Sequence, residues 1–325
     1  MSEAVAVTGA AGRTAGAGNG TRAADDLTAG LAPETVTALE AAGLEVSEVV
    51  RVVRAALDED FRYGPDVTSA ATVAGRTVTA QVVAREAGVI AGLPIALAVL
   101  DLTGAPPVSA TMLAVDGARL SAGDAVLRVS GDAVAVLGAE RTMLNFLTHL
   151  SGIASATREW ADALAGTGAV VRDTRKTLPG LRSLQKYAVR CGGGENHRMG
   201  LGDAALVKDN HVAAAGGVAA AVRAVRSAAR PGLVIEIECD SVAQVREALE
   251  AGARFILLDN MAVPTLREAV AVARSYDGVR LESSGGLRIA NAREVAETGV
   301  DYLSVGGLTH SSRALDLGLD YSGEG

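Results

Sequence analysis

The 325-residue chain carries 30 lysines and arginines against 38 aspartates and glutamates, a net charge of −8, with 49% hydrophobic and 3% aromatic residues. That balance excludes a nucleic-acid binder, whose phosphate contacts need a basic surface, and suits an aliphatic interior with chain enough for two domains. No apolar window of about 18 residues marks a membrane span and no charged-then-apolar order marks a signal peptide. Cys191 and Cys239 fit neither a disulfide framework nor a zinc spacing, so a soluble cytoplasmic protein, free of membrane and nucleic acid, is the expectation.

Residues 1–30, mostly Ala, Gly and Thr, read as a disordered tail. Within it, Val5-Ala6-Val7-Thr8-Gly9-Ala10-Ala11-Gly12 looks like a strand entering a dinucleotide-binding turn. The context argues against that reading, because Arg13 to Gly20 is too glycine-rich to hold the helix the fingerprint needs. From 46 to 147 the pattern predicts a helix over Val46–Asp58 and then short alternating runs such as 78–84 and 125–129. Turns at Gly104–Pro107 and Asp116-Gly117 separate the runs, as in a small antiparallel sheet with packed helices. A long helical pattern begins at Arg141 and reaches about Leu164.

After 168 the rhythm changes to strand, loop, helix. Six apolar runs centred near Val171, Leu206, Ile235, Ile256, Leu281 and Leu303 read as parallel strands with crossover helices. The stretches beginning Glu247-Ala-Leu-Glu-Ala-Gly and Glu294-Val-Ala-Glu-Thr-Gly echo each other at an offset of 47 residues, two strand–helix units. A barrel or barrel-like sheet is the simplest closure, although six strands fall short of the usual eight.

In such a barrel the active site lies at the strands' C-terminal ends. The runs end, in order, at Asp173, Arg175 and Lys176; at Lys208, Asp209, Asn210 and His211; at Glu236 and Glu238; and at Asp259-Asn260. The last two run into Glu282-Ser283-Ser284-Gly285-Gly286 and Gly306-Gly307. Segment 172–211 holds eight cations against four acids, so it is +4 and the remainder of the chain −12. It also contains all three lysines among the 30 cations, Lys176, Lys186 and Lys208. Lysine is a compact donor on a flexible stem where arginine is a planar fork, so these few lysines mark places where arginine cannot do the job. Such a patch suits a polyanionic small molecule. Opposite it, Glu238 and Asp259 could share a magnesium ion that also holds phosphate oxygens. The two glycine turns occupy a frequent phosphate site of barrel enzymes.

Other polar residues take blander readings. Asp240 or Ser241 caps the next helix, His149 and His310 read as structural or surface, and Lys186, on an intervening helix, helps set the local field. Cys191 falls on the apolar spacing of a helix opened by Pro179 and stopped by Gly192-Gly193-Gly194. His197 differs, standing just past that triple glycine, where backbone can approach a ligand closely. Glu195, just before Asn196-His197-Arg198, is the one acid out of place in such a pocket, and its orientation stays open.

The unbroken stretch DTRKTLPGLRSLQKYAVRCGGGENHRMGLGDAALVKDNH, residues 173–211, strongly resembles quinolinate phosphoribosyltransferases. RTMLNFLTHLSGIAS (141–155), IEIECDS (235–241), LLDNM (257–261), LESSGGL (281–287) and DYLSVGGLTHS (301–311) agree in order and spacing, so the resemblance covers about 46–320. It implies an α/β fold with an N-terminal open α/β sandwich over 31–150, joined by the C-terminal segment 309–325. An incomplete α/β (TIM-like) barrel of about six parallel strands would follow over 151–308. It also implies magnesium-dependent transfer of phosphoribose from phosphoribosyl pyrophosphate to quinolinate, releasing pyrophosphate and CO2 and giving nicotinate mononucleotide for NAD synthesis.

On the same resemblance, Arg175, His197, Arg198 and Lys208 would hold the quinolinate carboxylates. Lys176 would lie between quinolinate and phosphoribose, beside Thr174. Glu238 and Asp259 would meet ribose and magnesium, and Ser284, Gly285, Gly286, Val305, Gly306 and Gly307 would take the 5′-phosphate. Lys176, Glu238 and Asp259 form the catalytic set. Arg141 would reach the partner's site in a homodimer. A pyrophosphorylase-like relative from molybdenum-transport operons is the alternative within the fold, disfavoured by the complete TRKT and NHR motifs. A Schiff-base aldolase using Lys208 would leave the arginine cluster and the glycine turns unexplained, and a non-catalytic NAD-sensing scaffold would leave the convergent rim idle.

Overall fold

The structure, a computed structural model, describes residues 30–104 and 106–321. The expected tail, with the fingerprint at 5–12, lies outside the described residues save for Gly30. Two sheets organise the rest. An antiparallel sheet is built from β1 (Thr77–Ala84), β3 (Ser109–Met112) and β5 (Ala125–Asp132), with a small pair, β2 (Gly88–Val89) and β4 (Arg119–Leu120), alongside. The parallel sheet comprises β6 (Val170–Arg172), β7 (Ala204–Val207), β8 (Val234–Cys239), β9 (Phe255–Asp259), β10 (Arg280–Ser284) and β11 (Tyr302–Ser304). Each predicted barrel strand is present. Finally β12 (Leu317–Tyr321) returns to pair antiparallel with β1, Ala80 opposite Tyr321, so this late segment completes the first sheet.

The helix Ala133–Ala163 joins the two layers. It packs on β1, β5 and β12 and on the largely apolar helix Leu93–Thr103 at one side, and on β6 and helices Arg182–Cys191 and Ile289–Ala296 at the other. It starts eight residues before the predicted Arg141, because Asp132 is both the last residue of β5 and the helix cap. Its carboxylate accepts from the N–H groups of Val134 and Ala135 at 3.0 and 3.1 Å. With no loop between strand and helix, Ala133-Val134-Ala135-Val136 reads as a further strand-like alternation, and the boundary is hidden. The predicted helix at 46 runs to Phe61, and Ser241, not Asp240, caps its helix by accepting from the Gln244 N–H. The 47-residue echo marks true structural repeats: helix 242–250 with β9, and helix 289–296 with β11. No helix among the described residues is long and apolar enough to cross a membrane.

The parallel sheet runs in the order β6-β11-β10-β9-β8-β7, so β6 and β7 do not pair and the barrel is open between them. Residues 194–198 partly fill the opening. Glu195 bridges in parallel to Arg172, its N–H donating to the Val171 carbonyl at 2.9 Å while its own carbonyl accepts from the Asp173 N–H at 3.2 Å. The gap thus carries His197 and Arg198 to the end of β6, and Glu195 itself faces solvent.

Candidate active site

Alternate residues of a strand face one side, so Glu236 and Glu238, Leu257 and Asp259, and Glu282 and Ser284 stack as an inner and an outer layer. The outer layer opens into a cleft of about 1070 Å³ at the strands' C-terminal ends. Thr174, Arg175, Lys176, His197, Arg198, Lys208, Glu238, Asp259, Ser284, Gly285, Gly286, Val305, Gly306 and Gly307 all line it. Arg141 does not. It is exposed on the long helix, away from this cleft.

One end of the cleft is cationic. Burial and the adjacent Arg175 guanidinium both hold Arg198 below the usual arginine range, although arginine stays charged at any physiological pH. Arg198 Nη1 donates to the Ala204 carbonyl at 3.0 Å, whereas the buried Arg175 Nε has no partner in the protein. Two guanidiniums lining one end of a cleft, one with a donor to spare, suit an anion. Lys208, half-exposed at the end of β7, pairs with Glu238 at 3.2 Å, and Glu238 ends the neighbouring strand. A Schiff-base lysine needs burial away from countercharges, which Lys208 lacks.

Lys176 links the two ends. Its N–H donates to Thr174 Oγ1 at 2.9 Å and its carbonyl accepts from Thr309 Oγ1 at 2.8 Å, while its stem lies against Gly306. At the far end, Asp259 Oδ2 accepts from Asn260 Nδ2 at 2.7 Å. Asn260 has a left-handed backbone (φ 52°), and Gly285 packs so tightly on its amide that a Cβ there would lie 2.1 Å from Oδ1. Strain of this kind persists where the surroundings over-determine it, typically at a binding site.

Three sequence readings change. Glu236 and Glu282, expected on the rim, are buried beneath it, facing His197 and Arg172. Burial pushes both carboxyls up to about 7. Lys186, expected only to tune the field, is fully buried and ion-paired with Asp173. His310 is exposed as expected, yet it lines the cleft beside Gly306. His149 fits its structural reading, half-buried with Nε2 2.9 Å from the Gln185 amide.

His197 is itself deeply set. Its Nδ1 accepts from the Arg198 N–H at 2.7 Å and its Nε2 faces Glu236 Oε2 at 2.9 Å. Burial lowers its pKa, giving a neutral ring with the proton on Nε2. Sequence reasoning also missed the cleft's far wall, residues 310–315, where Arg313 spans to Glu86 at 2.7 Å. That wall depends on the pairing of β12 with β1, more than 200 residues apart, for which the local sequence carries no signal.

The chain matches the description "Quinolinate phosphoribosyl transferase, N-terminal domain" over residues 66–151 and the corresponding C-terminal domain over 153–320. It is 56% identical over 273 residues to the carboxylating nicotinate-nucleotide pyrophosphorylase of Mycobacterium leprae, covering 82% of this chain and 95% of that one. Likeness to the probable enzyme of that name from Bacillus subtilis is 39% over 265 residues, 81% of this chain and 89% of the relative. Among solved structures, the nicotinate-nucleotide pyrophosphorylase from Francisella tularensis superposes with a TM-score of 0.81 at 37% identity, over 85% of this chain and 96% of that one. The six-stranded open barrel with its sandwich layer is therefore shared along nearly the whole length of these relatives, and the chain belongs to the quinolinate phosphoribosyl transferase family.

Proposed function

We infer that this protein is a decarboxylating phosphoribosyltransferase that joins quinolinate to phosphoribosyl pyrophosphate, releasing pyrophosphate and CO2 and giving nicotinate mononucleotide. The carrying observation is the cationic floor of the cleft, lined by Arg175, His197, Arg198 and Lys208, with the Arg175 Nε unpartnered and Lys208 paired to Glu238. Guanidinium forks match carboxylate oxygens, and a substrate with two adjacent carboxylates is complementary to this floor. His197, whose Nε2 faces the buried Glu236 at 2.9 Å and Glu282 at 3.6 Å, is the neutral member of that floor.

The ring nitrogen's electron pair forms the new bond at the ribose anomeric carbon as the bond to pyrophosphate breaks. Positive charge develops on the ribose, and the Glu238 and Asp259 carboxylates stand across the cleft to stabilise it. The quaternised ring then accepts the electron pair left when CO2 departs, and a proton replaces the carboxylate. Lys176, between the floor and Gly306, would neutralise charge shared by the two substrates. The turns at 284–286 and 305–307 offer backbone N–H groups to the phosphate.

Glu238 and Asp259 end adjacent strands and offer only hard carboxylate oxygens to the cleft, so they fit magnesium. Bound there, magnesium supplies charge neutralisation for the departing pyrophosphate. The other donor set, His197, Glu236 and Glu282, is buried with the Arg172 guanidinium 2.6 Å from Glu282, and a second cation suits it poorly. We further propose a homodimer in which Arg141, idle on its own subunit, reaches the partner's cleft. Two free cysteines, Cys191 and Cys239, suit the reducing cytoplasm.

Incubation with quinolinate, phosphoribosyl pyrophosphate and magnesium should yield CO2 and nicotinate mononucleotide, with chelation abolishing turnover and magnesium restoring it. No turnover of quinolinate, or a preference for nicotinic acid, overturns the assignment. Arg141→Ala and Lys176→Ala proteins should each be inactive and should regain partial activity when their subunits exchange. Absence of rescue in verified mixed dimers counts against the shared site.

A further inference from the structure

Arg175 and Arg198 both line the cleft but come from segments far apart in sequence, so something in the fold must hold those segments side by side. The only route between them through the chain is long, from the end of β6 around helix Arg182–Cys191 and back. The short route is through space. Asp173, fully buried, directly precedes Thr174-Arg175; His197 directly precedes Arg198. The His197 peptide is gripped on both sides. Its N–H donates to Asp173 Oδ1 at 2.9 Å, and its carbonyl accepts from Lys186 Nζ at 2.8 Å. Lys186 Nζ closes the ring by donating to the same Asp173 Oδ1. Asn196 braces the other carboxylate oxygen, with Nδ2 2.6 Å from Asp173 Oδ2 and 2.8 Å from the Lys186 carbonyl.

We propose that the buried Asp173–Lys186 pair is the positioning unit of the dicarboxylate floor, setting the separation of Arg175 and Arg198 and so the preference for a ligand with two adjacent carboxylates. This deepens the quinolinate reading and rests on it. Neither residue lines the cleft, so both act through the backbone of the residues that do. Such a pair is poor evidence for stability, since two charges taken out of water cost much of what their attraction returns. Holding one arrangement of a loop is a better account of it. The chemistry also explains the residue type. A compact ammonium can place donors on Asp173 and on the His197 carbonyl at once inside a fully buried site, where the broad guanidinium fork has no room.

The test is a split between substrates. The phosphate turns at 284–286 and 305–307 make no direct hydrogen bond to Asp173, Lys186, Asn196 or the His197 peptide, so loosening the network should act mainly on the dicarboxylate. In Lys186→Met and Lys186→Arg, KM for quinolinate should rise tenfold or more while KM for phosphoribosyl pyrophosphate stays within about threefold. Discrimination against nicotinic acid should fall in parallel. Asn196→Ala removes one brace without stranding a buried charge and should show the same split at three- to tenfold. If Lys186 variants do not fold, Asn196→Ala decides alone. Equal rises in both KM values, or an unchanged quinolinate KM in a folded variant, overturn the proposal. Should the wild-type protein fail to turn over quinolinate, the functional reading falls. Calorimetric binding of a pyridine dicarboxylate to wild type and Asn196→Ala then decides the positioning role by itself, with equal affinities refuting it.

Discussion

Gly152 sits inside the long helix, where helix propensity alone argues for replacing it. Alanine is better than glycine in a helix interior by about 1 kcal/mol. The structure predicts the opposite sign. A Cβ at 152 would lie 2.0 Å from the Arg313 carbonyl oxygen, 2.9 Å from its carbon and 3.0 Å from Ala314 Cα. All three are backbone atoms, so no side-chain rotation relieves the clash, and the crossing segment must retreat by roughly 1 Å. It is not free to do so. The Leu315 N–H donates to the Thr148 carbonyl at 2.9 Å, Arg313 pairs with Glu86, and β12 is held along β1. Over-packing costs about 1–3 kcal/mol and a lost hydrogen bond about 1 kcal/mol more. After the propensity gain, Gly152→Ala should be destabilised by about 1–3 kcal/mol, read as a lower urea midpoint at unchanged slope. Gly138→Ala is the control. It lies in the same helix and meets only the half-buried Phe61 ring at 3.3 Å, so it should be neutral or slightly stabilised. A Gly152→Ala protein as stable as wild type would refute the close crossing of helix and return segment.

Glu236 and Glu282 release their protons near 4.5 when unfolded but, raised by burial, only near 7 when folded. The native state therefore holds more protons between these values, and the stability they contribute is full below pH 4.5 and lost as pH climbs through 7. Urea unfolding of Glu282→Gln should show a shallower loss between pH 5 and 8 than wild type, and identical slopes would contradict the buried pair. Gly285→Ala meets both a φ of +85° and the Asn260 amide. It should raise KM for phosphoribosyl pyrophosphate at least tenfold with a smaller effect on quinolinate, and an unchanged value would remove that turn from the phosphate site. Borohydride treatment in the presence of substrate should leave Lys208 unmodified, whereas a trapped adduct would revive Schiff-base chemistry.

What could be read from the sequence follows from how locally each feature is encoded. Barrel strands covered on both faces leave continuous apolar runs that end in polar residues, so all six barrel strands and most of the rim are visible one segment at a time. Depth is not local. Glu236 and Glu238 share a strand face two residues apart, yet one is buried under the cleft and the other lines it, because the inner layer is closed by Arg172 and His197 from elsewhere. The return of β12 and the gap between β6 and β7 are likewise set by distant pairings. The lysines show the limit most clearly. Their rarity among the cations flags all three alike, and only the fold separates them. Lys208 stands half in solvent against Glu238. Lys176 lays its stem over Gly306, where a bulkier neighbour would collide. Lys186 points inward to a carboxylate and a peptide carbonyl that lie 13 and 11 residues from it in sequence. The composition signal thus covers three separate geometries, and only at Lys186 does full burial between two acceptors limit the site to a compact ammonium.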